Sequence, residues 1–156
     1  MLIVFDLDDT LYDCSGQMKE ATKWEDVKHI VPFPGVVEYL NSSFNKKILL
    51  SRETDTGLQD LKLDTLRIRD FFDKIYFCRK NWEKKNLLEM IKKEHSSEEI
   101  WVVGDRIDAE IQFGNELGMI TVRMQHGKYK DLVPKHKYQR AQYTITEFSQ
   151  LRNILP

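Results

Sequence analysis

Leu2-Ile3-Val4-Phe5-Asp6-Leu7-Asp8-Asp9-Thr10 opens the chain with a β-branched and aromatic run that ends abruptly in acid. An unbroken apolar run of this length marks a strand buried on both faces, as in the middle of a parallel sheet. Open α/β sheets place ligands beyond the carboxyl ends of their strands, so these acids stand where chemistry belongs. If the extended backbone continues past Phe5, period-two alternation sends the side chains of Asp6 and Asp8 to the same side. Two carboxylates facing one small volume repel each other unless a cation neutralises them or one holds a proton.

Beyond this stretch, apolar strand-like runs alternate with amphipathic segments, the pattern of repeated βαβ units. The spacing predicts strands at residues 2–7, 47–51, 74–78, 99–104, 120–124 and 142–145. It predicts helices over 35–44, 56–63, 82–95, 109–117 and 147–153, with Pro34 and Gly35 at the start of the first and Gly118 terminating the fourth. The expected fold is therefore α/β: a three-layer, doubly wound parallel sheet occupying residues 1–156 as one domain. A chain of 156 residues suffices for a single core, burying about 70% of its unfolded surface. Residues 12–31 are too few for a substantial cap over the acids, and residues 52–73 read as helices packed on the sheet.

Net charge is −1, from 24 basic and 25 acidic residues mixed throughout, so the global field gives no reason to expect a nucleic acid or an anionic membrane as partner. Cys14 and Cys78 lack metal-ligand spacing and read as reduced thiols of a cytoplasmic protein. No signal peptide and no membrane-length apolar run is visible. His29, His95, His126 and His136 share no metal-site spacing and read as structural or surface residues. The stretch from Lys128 to Arg140 is basic with interleaved aromatics, a composition able to hold phosphate-bearing ligands, although a solvated loop is the simpler reading.

Four segments in order then resemble the motifs of the haloacid dehalogenase (HAD) superfamily. Leu2-Ile3-Val4-Phe5-Asp6-Leu7-Asp8-Asp9-Thr10 resembles its first motif. Lys47-Ile48-Leu49-Leu50-Ser51, a strand ending in Ser, is similar to the second. A lysine ahead of an amphipathic helix, among Lys80, Lys84 and Lys85, resembles the third, and Ile100-Trp101-Val102-Val103-Gly104-Asp105 with Asp108 and Glu110 resembles the fourth. Ser51-Arg52 and the short stretch before Pro32-Phe33-Pro34-Gly35 look like the capless magnesium-dependent phosphatase and acid phosphatase group, which favours Lys84 over Lys80. The family usually carries Asp where this chain has Glu110.

The resemblance implies a Rossmann-like, HAD-like sheet and a Mg²⁺-dependent phosphatase acting on phosphate monoesters. Its implied nucleophile is Asp6, forming an aspartyl phosphate, with Asp8 as general acid and base. Mg²⁺ is expected on Asp6, the backbone carbonyl of Asp8 and Asp105, and phosphate oxygens on Ser51, Arg52 and Lys84 or Lys80. Thr10, Asp108 and Glu110 are expected as supports. The substrate is a phosphorylated small molecule or phosphoprotein, and the expected oligomer a monomer or weak homodimer. Two alternatives share the motifs: a phosphotransferase or mutase of the same superfamily, and a phosphate-binding regulatory protein that has lost turnover.

Overall fold

The computed structural model describes residues 1–155. Six parallel strands form one sheet: β1 (Leu2–Phe5), β2 (Lys46–Arg52), β3 (Lys74–Cys78), β4 (Ile100–Gly104), β5 (Ile120–Met124) and β6 (Tyr143–Ile145). Their spatial order is β3-β2-β1-β4-β5-β6, so the chain winds outward from β1 in one direction and then returns to its other side. The junction between β1 and β4 is thus a topological switch point, where the loops above the carboxyl ends diverge and leave a crevice. Register pairs Phe5 with Leu49 on one side and with Val103 on the other, which brings the ends of β1 and β4 level.

Side-chain alternation divides the core. Ile3 and Phe5 of β1, Leu49 of β2 and Trp101 and Val103 of β4 point to one face. There they meet α3 (Val36–Ser42), α4 (Leu58–Leu66) and a C-terminal 3₁₀ segment, Phe148–Asn153. Leu2, Val4, Ile48, Leu50, Ile100 and Val102 point to the opposite face, covered by Leu88 and Ile91 of α5 (Asn81–Glu94) and by Phe113 of α6 (Gln112–Glu116). The three-layer α/β expectation therefore holds. Before α3 lie two single-turn helices, α1 (Cys14–Gln17) and α2 (Lys23–Asp26), and one 3₁₀ turn, Val27–His29, so residues 12–31 form no substantial cap. No helix among the described residues is long and apolar enough to cross a membrane.

Three sequence expectations need correction. β1 ends at Phe5 rather than residue 7, because the chain turns there: the Leu7 carbonyl accepts from the amides of Thr10 and Leu11, and Asp9 adopts a left-handed φ of 54°. Asp6 and Asp8 consequently belong to a loop, and strand alternation does not aim them. β2 runs one residue further than expected, placing Ser51 inside the strand. The segment expected as a helix at 147–153 is 3₁₀, opened by Glu147 and Gln150 bonded reciprocally to each other's backbone amides. Gly118 stands just past α6 with φ 71°, a conformation that costs a residue with a Cβ, as its terminating role requires.

Phe5 is fully buried and meets Tyr39 and Phe72 edge-on, at centroid distances of 6.4 and 6.3 Å, with Phe148 at 6.4 Å. Phe5→Ala removes the ring shared by the sheet, α3 and the C-terminal segment. Urea unfolding should show a loss of about 3–5 kcal/mol; a loss below about 1 kcal/mol would contradict this packing.

Candidate active site

Asp6 leaves β1 and Asp105 leaves β4 at the switch point, and the Asp6 amide donates to the Val103 carbonyl at 2.9 Å. Both carboxylates are buried, Asp6 to 6% exposure and Asp105 to 4%. Glu110, also buried, completes a group of three whose carboxylate oxygens lie within 4.8 Å of one another.

Lys84, one turn into α5, reaches into this group from the other layer. Its Nζ donates to Asp6 Oδ1 at 3.0 Å and to Glu110 Oε1. α5 begins where Glu83 accepts from the amide of Arg79 at 2.8 Å, so the helix start and the lysine's depth are fixed together. Glu110 arrives on a π-helical turn, Ile107–Ile111, which widens the start of α6. That approach also requires Gly104: a Cβ there would stand 2.9 Å from Glu110 Cβ and Cγ.

The electrostatics are those of a cation site. Burial raises Asp6 above the ordinary carboxylate range, against the pull of Lys84, and Glu110 and Asp8 push the same way as burial. Burial, followed by the charges of Glu110 and Asp6, raises Asp105 as well. Burial opposes the Lys84 charge, but Asp6 and Glu110 outweigh it and strengthen its hold on a proton. One ammonium faces three carboxylates, and Glu110 Oε2 is buried without a hydrogen-bond partner. This all-oxygen, charge-deficient donor set fits a hard divalent cation such as Mg²⁺.

Asp8 is held quite differently. It accepts from Tyr12 Oη at 2.7 Å, from Lys62 Nζ at 2.7 Å and from Gln59 Nε2 at 3.1 Å. Burial alone would raise its pKa; Lys62 and the three hydrogen bonds reverse that and keep it ionised. Gln59 Nε2 also donates to Ser51 Oγ at 2.8 Å, which leaves the Ser51 hydroxyl hydrogen free to point at a ligand. Sequence reasoning missed Tyr12, Gln59 and Lys62. A signal existed: Gln59, Lys62, Leu63 and Leu66 fall at i, i+3, i+4 and i+7, so two polar side chains occupy the buried face of α4.

The expected residues separate cleanly. Asp6, Asp8, Ser51, Lys84, Asp105 and Glu110 line one cleft of about 250 Å³, with the exposed Arg52 at its rim. Lys80 is an exposed residue preceding α5 and lies outside this cleft, and Lys85 pairs with Glu116 at 2.7 Å. Asp108 is likewise outside: it is exposed and held by Arg106 at 2.8 Å. Thr10 is buried in the turn, its hydroxyl without a partner. Burial pushes the Cys14 thiol up to about 12, so it is protonated near neutrality.

The chain is similar to several known proteins. The HAD-hydrolase-like family matches residues 83–151. A glyceraldehyde 3-phosphate phosphatase of Methanocaldococcus jannaschii is 34% identical over 131 residues, covering 80% of this chain and 56% of that protein. The Pyrococcus furiosus protein of the same name is 30% identical over 145 residues, covering 78% and 60%. This chain therefore spans less than two thirds of these relatives' length. Among solved structures, a HAD-hydrolase of Bacillus subtilis bound to magnesium superposes with a TM-score of 0.74 at 14% identity, over 99% of this chain and 97% of that one. D,D-heptose 1,7-bisphosphate phosphatase of B. bronchiseptica, complexed with magnesium and phosphate, gives 0.72 at 14% identity, over 99% and 97%.

The raised carboxyls of Asp6 and Asp105 have a thermodynamic signature. Above about pH 4, where unfolded carboxyls ionise, the native state binds more protons than the unfolded one, so stability falls with rising pH through neutrality. The depressed Asp8 acts in the opposite sense, but its contribution is already complete above that pH. In chelator, thermal unfolding should therefore weaken from pH 5 to 8, in steps of roughly one pH unit per measurement. At one fixed concentration Mg²⁺ should restore more stability at the alkaline end, where protons compete less for the carboxylates, reaching about 2.7 kcal/mol where the ion stands at about a hundredfold its dissociation constant. A Mg²⁺ effect independent of pH would contradict the cluster's role as its site.

Proposed function

Because the chain belongs to the HAD superfamily, we propose that it hydrolyses phosphate monoesters through an aspartyl phosphate on Asp6. The observation that carries this reading is the contrast between two carboxylates two residues apart: Asp6 shares a buried cluster with Asp105, Glu110 and Lys84, whereas Asp8 sits in its own clamp of Tyr12, Gln59 and Lys62. Carboxylates in contrasting environments divide nucleophilic from acid–base work.

Asp6 and Asp105 are the residues to hold Mg²⁺, with the backbone carbonyl of Asp8 and with Glu110 beside them; the bound ion supplies the positive charge that lets one anion approach another. Lys84 orients the Asp6 carboxylate and has a third N–H for a phosphate oxygen. Ser51, fixed by Gln59, donates its hydroxyl hydrogen to another, and Arg52 reaches from the rim.

In the first half-reaction a carboxylate oxygen of Asp6 bonds to phosphorus, the phosphorus–oxygen bond to the alcohol breaks, and Asp8 gives that alcohol a proton. In the second, water attacks phosphorus and gives its proton to Asp8, the bond to Asp6 breaks, and inorganic phosphate leaves. The free protein holds Asp8 as the base; an arriving phosphate dianion opposes that charge and favours the proton the first half-reaction needs. The relatives are named for a triose phosphate, which places phosphorylated small molecules first among candidate substrates. The cleft has no lid among the described residues, which favours hydrolysis over phosphoryl transfer, where water must be excluded.

Phosphate release from an aryl phosphate tests this directly. Wild-type protein should require Mg²⁺, Asp6→Asn should lose at least about a thousandfold in kcat while keeping its unfolding transition, and Asp105→Asn should need more Mg²⁺ for half-maximal rate. Turnover in Asp6→Asn near the wild-type rate would overturn the covalent mechanism. Failure of the wild-type protein to release phosphate with Mg²⁺ would favour the regulatory reading.

A further inference from the structure

Beyond Asp8 the 250 Å³ cleft opens into a second groove of about 1020 Å³, and Asp8, Lys62 and Tyr129 line both. Resting on the phosphatase reading, this continuity gives the groove a task. The group that protonates the leaving oxygen stands at the junction, so the organic part of the substrate extends into the larger space. That space equals the upper end of ordinary small-ligand sites, about 300–1,000 Å³, and far exceeds a three-carbon fragment.

The groove's charges are unevenly matched. Two of its acids are paired with lysines, Asp8 with Lys62 and Glu20 with Lys23 at 3.5 Å, while Asp13 contacts His126 at 2.8 Å and Asp9 accepts from the amide and hydroxyl of Ser15. Lys19, Lys128 and Lys130 also line it, and among the described residues none has a carboxylate within salt-bridge distance. These three ammonium groups converge on one groove, and Lys128 Nζ lies 5.4 Å from the centre of the Tyr129 ring.

The loop bearing two of them is held from beneath. Arg123 of β5 is 8% exposed, and its Nη2 donates to the carbonyls of Tyr129, Lys130 and Leu132 at 3.1, 3.0 and 3.2 Å. Gln125 Nε2 adds a bond to the Lys130 carbonyl at 3.0 Å, and the Lys128 amide donates to Ser15 Oγ at 3.0 Å, joining this loop to α1. The Arg106 guanidinium lies 4.3 Å from the centre of the Tyr129 ring. Although Arg123 Nε is buried without a partner, Nη2 gathers three carbonyls of one short segment and so fixes that backbone, a support that a merely solvated loop does not require. A backbone shaped in advance loses little freedom when its side chains take a ligand.

We propose that the groove binds the leaving group of a phosphate monoester carrying a second anionic group, phosphate or carboxylate, at the end remote from the scissile ester, and that Lys128 and Lys130 recognise that group. The test is calorimetric, with Mg²⁺ and the Asp6→Asn protein, so that binding is read without turnover. Three six-carbon ligands serve as probes: glucose 6-phosphate, glucose 1,6-bisphosphate and 6-phosphogluconate. At least one of the two ligands with an anionic group at each end should bind about tenfold to a hundredfold more tightly than glucose 6-phosphate, and the better one identifies the second group. Adding Lys128→Gln and Lys130→Gln should collapse that ratio towards one, whereas Lys128→Arg with Lys130→Arg should preserve it. Equal affinities for all three ligands, or a ratio that survives the glutamine pair, would overturn the proposal. Failure of the phosphatase reading is separate: it appears as absent phosphate release by the wild-type protein.

Discussion

The contact of Lys84 with Asp6 and Glu110 is the constraint around which the rest is arranged. A buried ammonium and buried carboxylates are each expensive out of water, and they coexist only where geometry brings them together. The fold supplies that geometry from three elements in two layers. β1 delivers Asp6, β4 delivers Asp105, and α5, crossing the opposite face, delivers Lys84. The strand order makes β1 and β4 neighbours although nearly a hundred residues separate them, so the charge group depends on the whole topology rather than on one loop. Since one ammonium does not balance three carboxylates, the cluster is complete only with a further positive charge, supplied by a proton or a metal ion.

The second carboxylate shows how one short loop sustains two chemistries. The chain turns sharply after Asp6, so Asp8 faces α4 rather than the cation cluster and meets Lys62, Gln59 and Tyr12. Gln59 bridges Asp8 and Ser51, so the residue proposed to move protons and the residue proposed to hold phosphate share one support. A change in α4 would therefore reach both without touching either.

Much of this was legible in the sequence because it depends on local pattern. The apolar run before Asp6 and the similar run before Gly104-Asp105 announce buried strands with acids at their ends, and the alternation of strand and helix dictates the layers. Lys84 could be preferred over Lys80 only by resemblance, since both lie near the start of α5; burial separates them, one reaching the cleft and the other solvent. Asp108 and Glu110 were indistinguishable for the same reason, until the π-helical turn directed Glu110 inward and left Asp108 to Arg106. Two members of the clamp on Asp8, Gln59 and Lys62, were hidden because they lie more than fifty positions away in the chain. The early end of β1 was hidden as well, since Leu7 is as apolar as a strand residue and the turn is made by hydrogen bonds to its carbonyl.

The central claim is that phosphorus becomes bonded to Asp6. Borohydride reduces an acyl phosphate to the corresponding alcohol, so quenching steady-state turnover with borohydride should convert Asp6 to homoserine. Peptide mass spectrometry then locates the change. The account predicts homoserine at position 6, dependent on both substrate and Mg²⁺, with Asp8 and Asp105 unmodified; reduction at another carboxylate, or turnover that leaves no reducible carboxyl at Asp6, would contradict it.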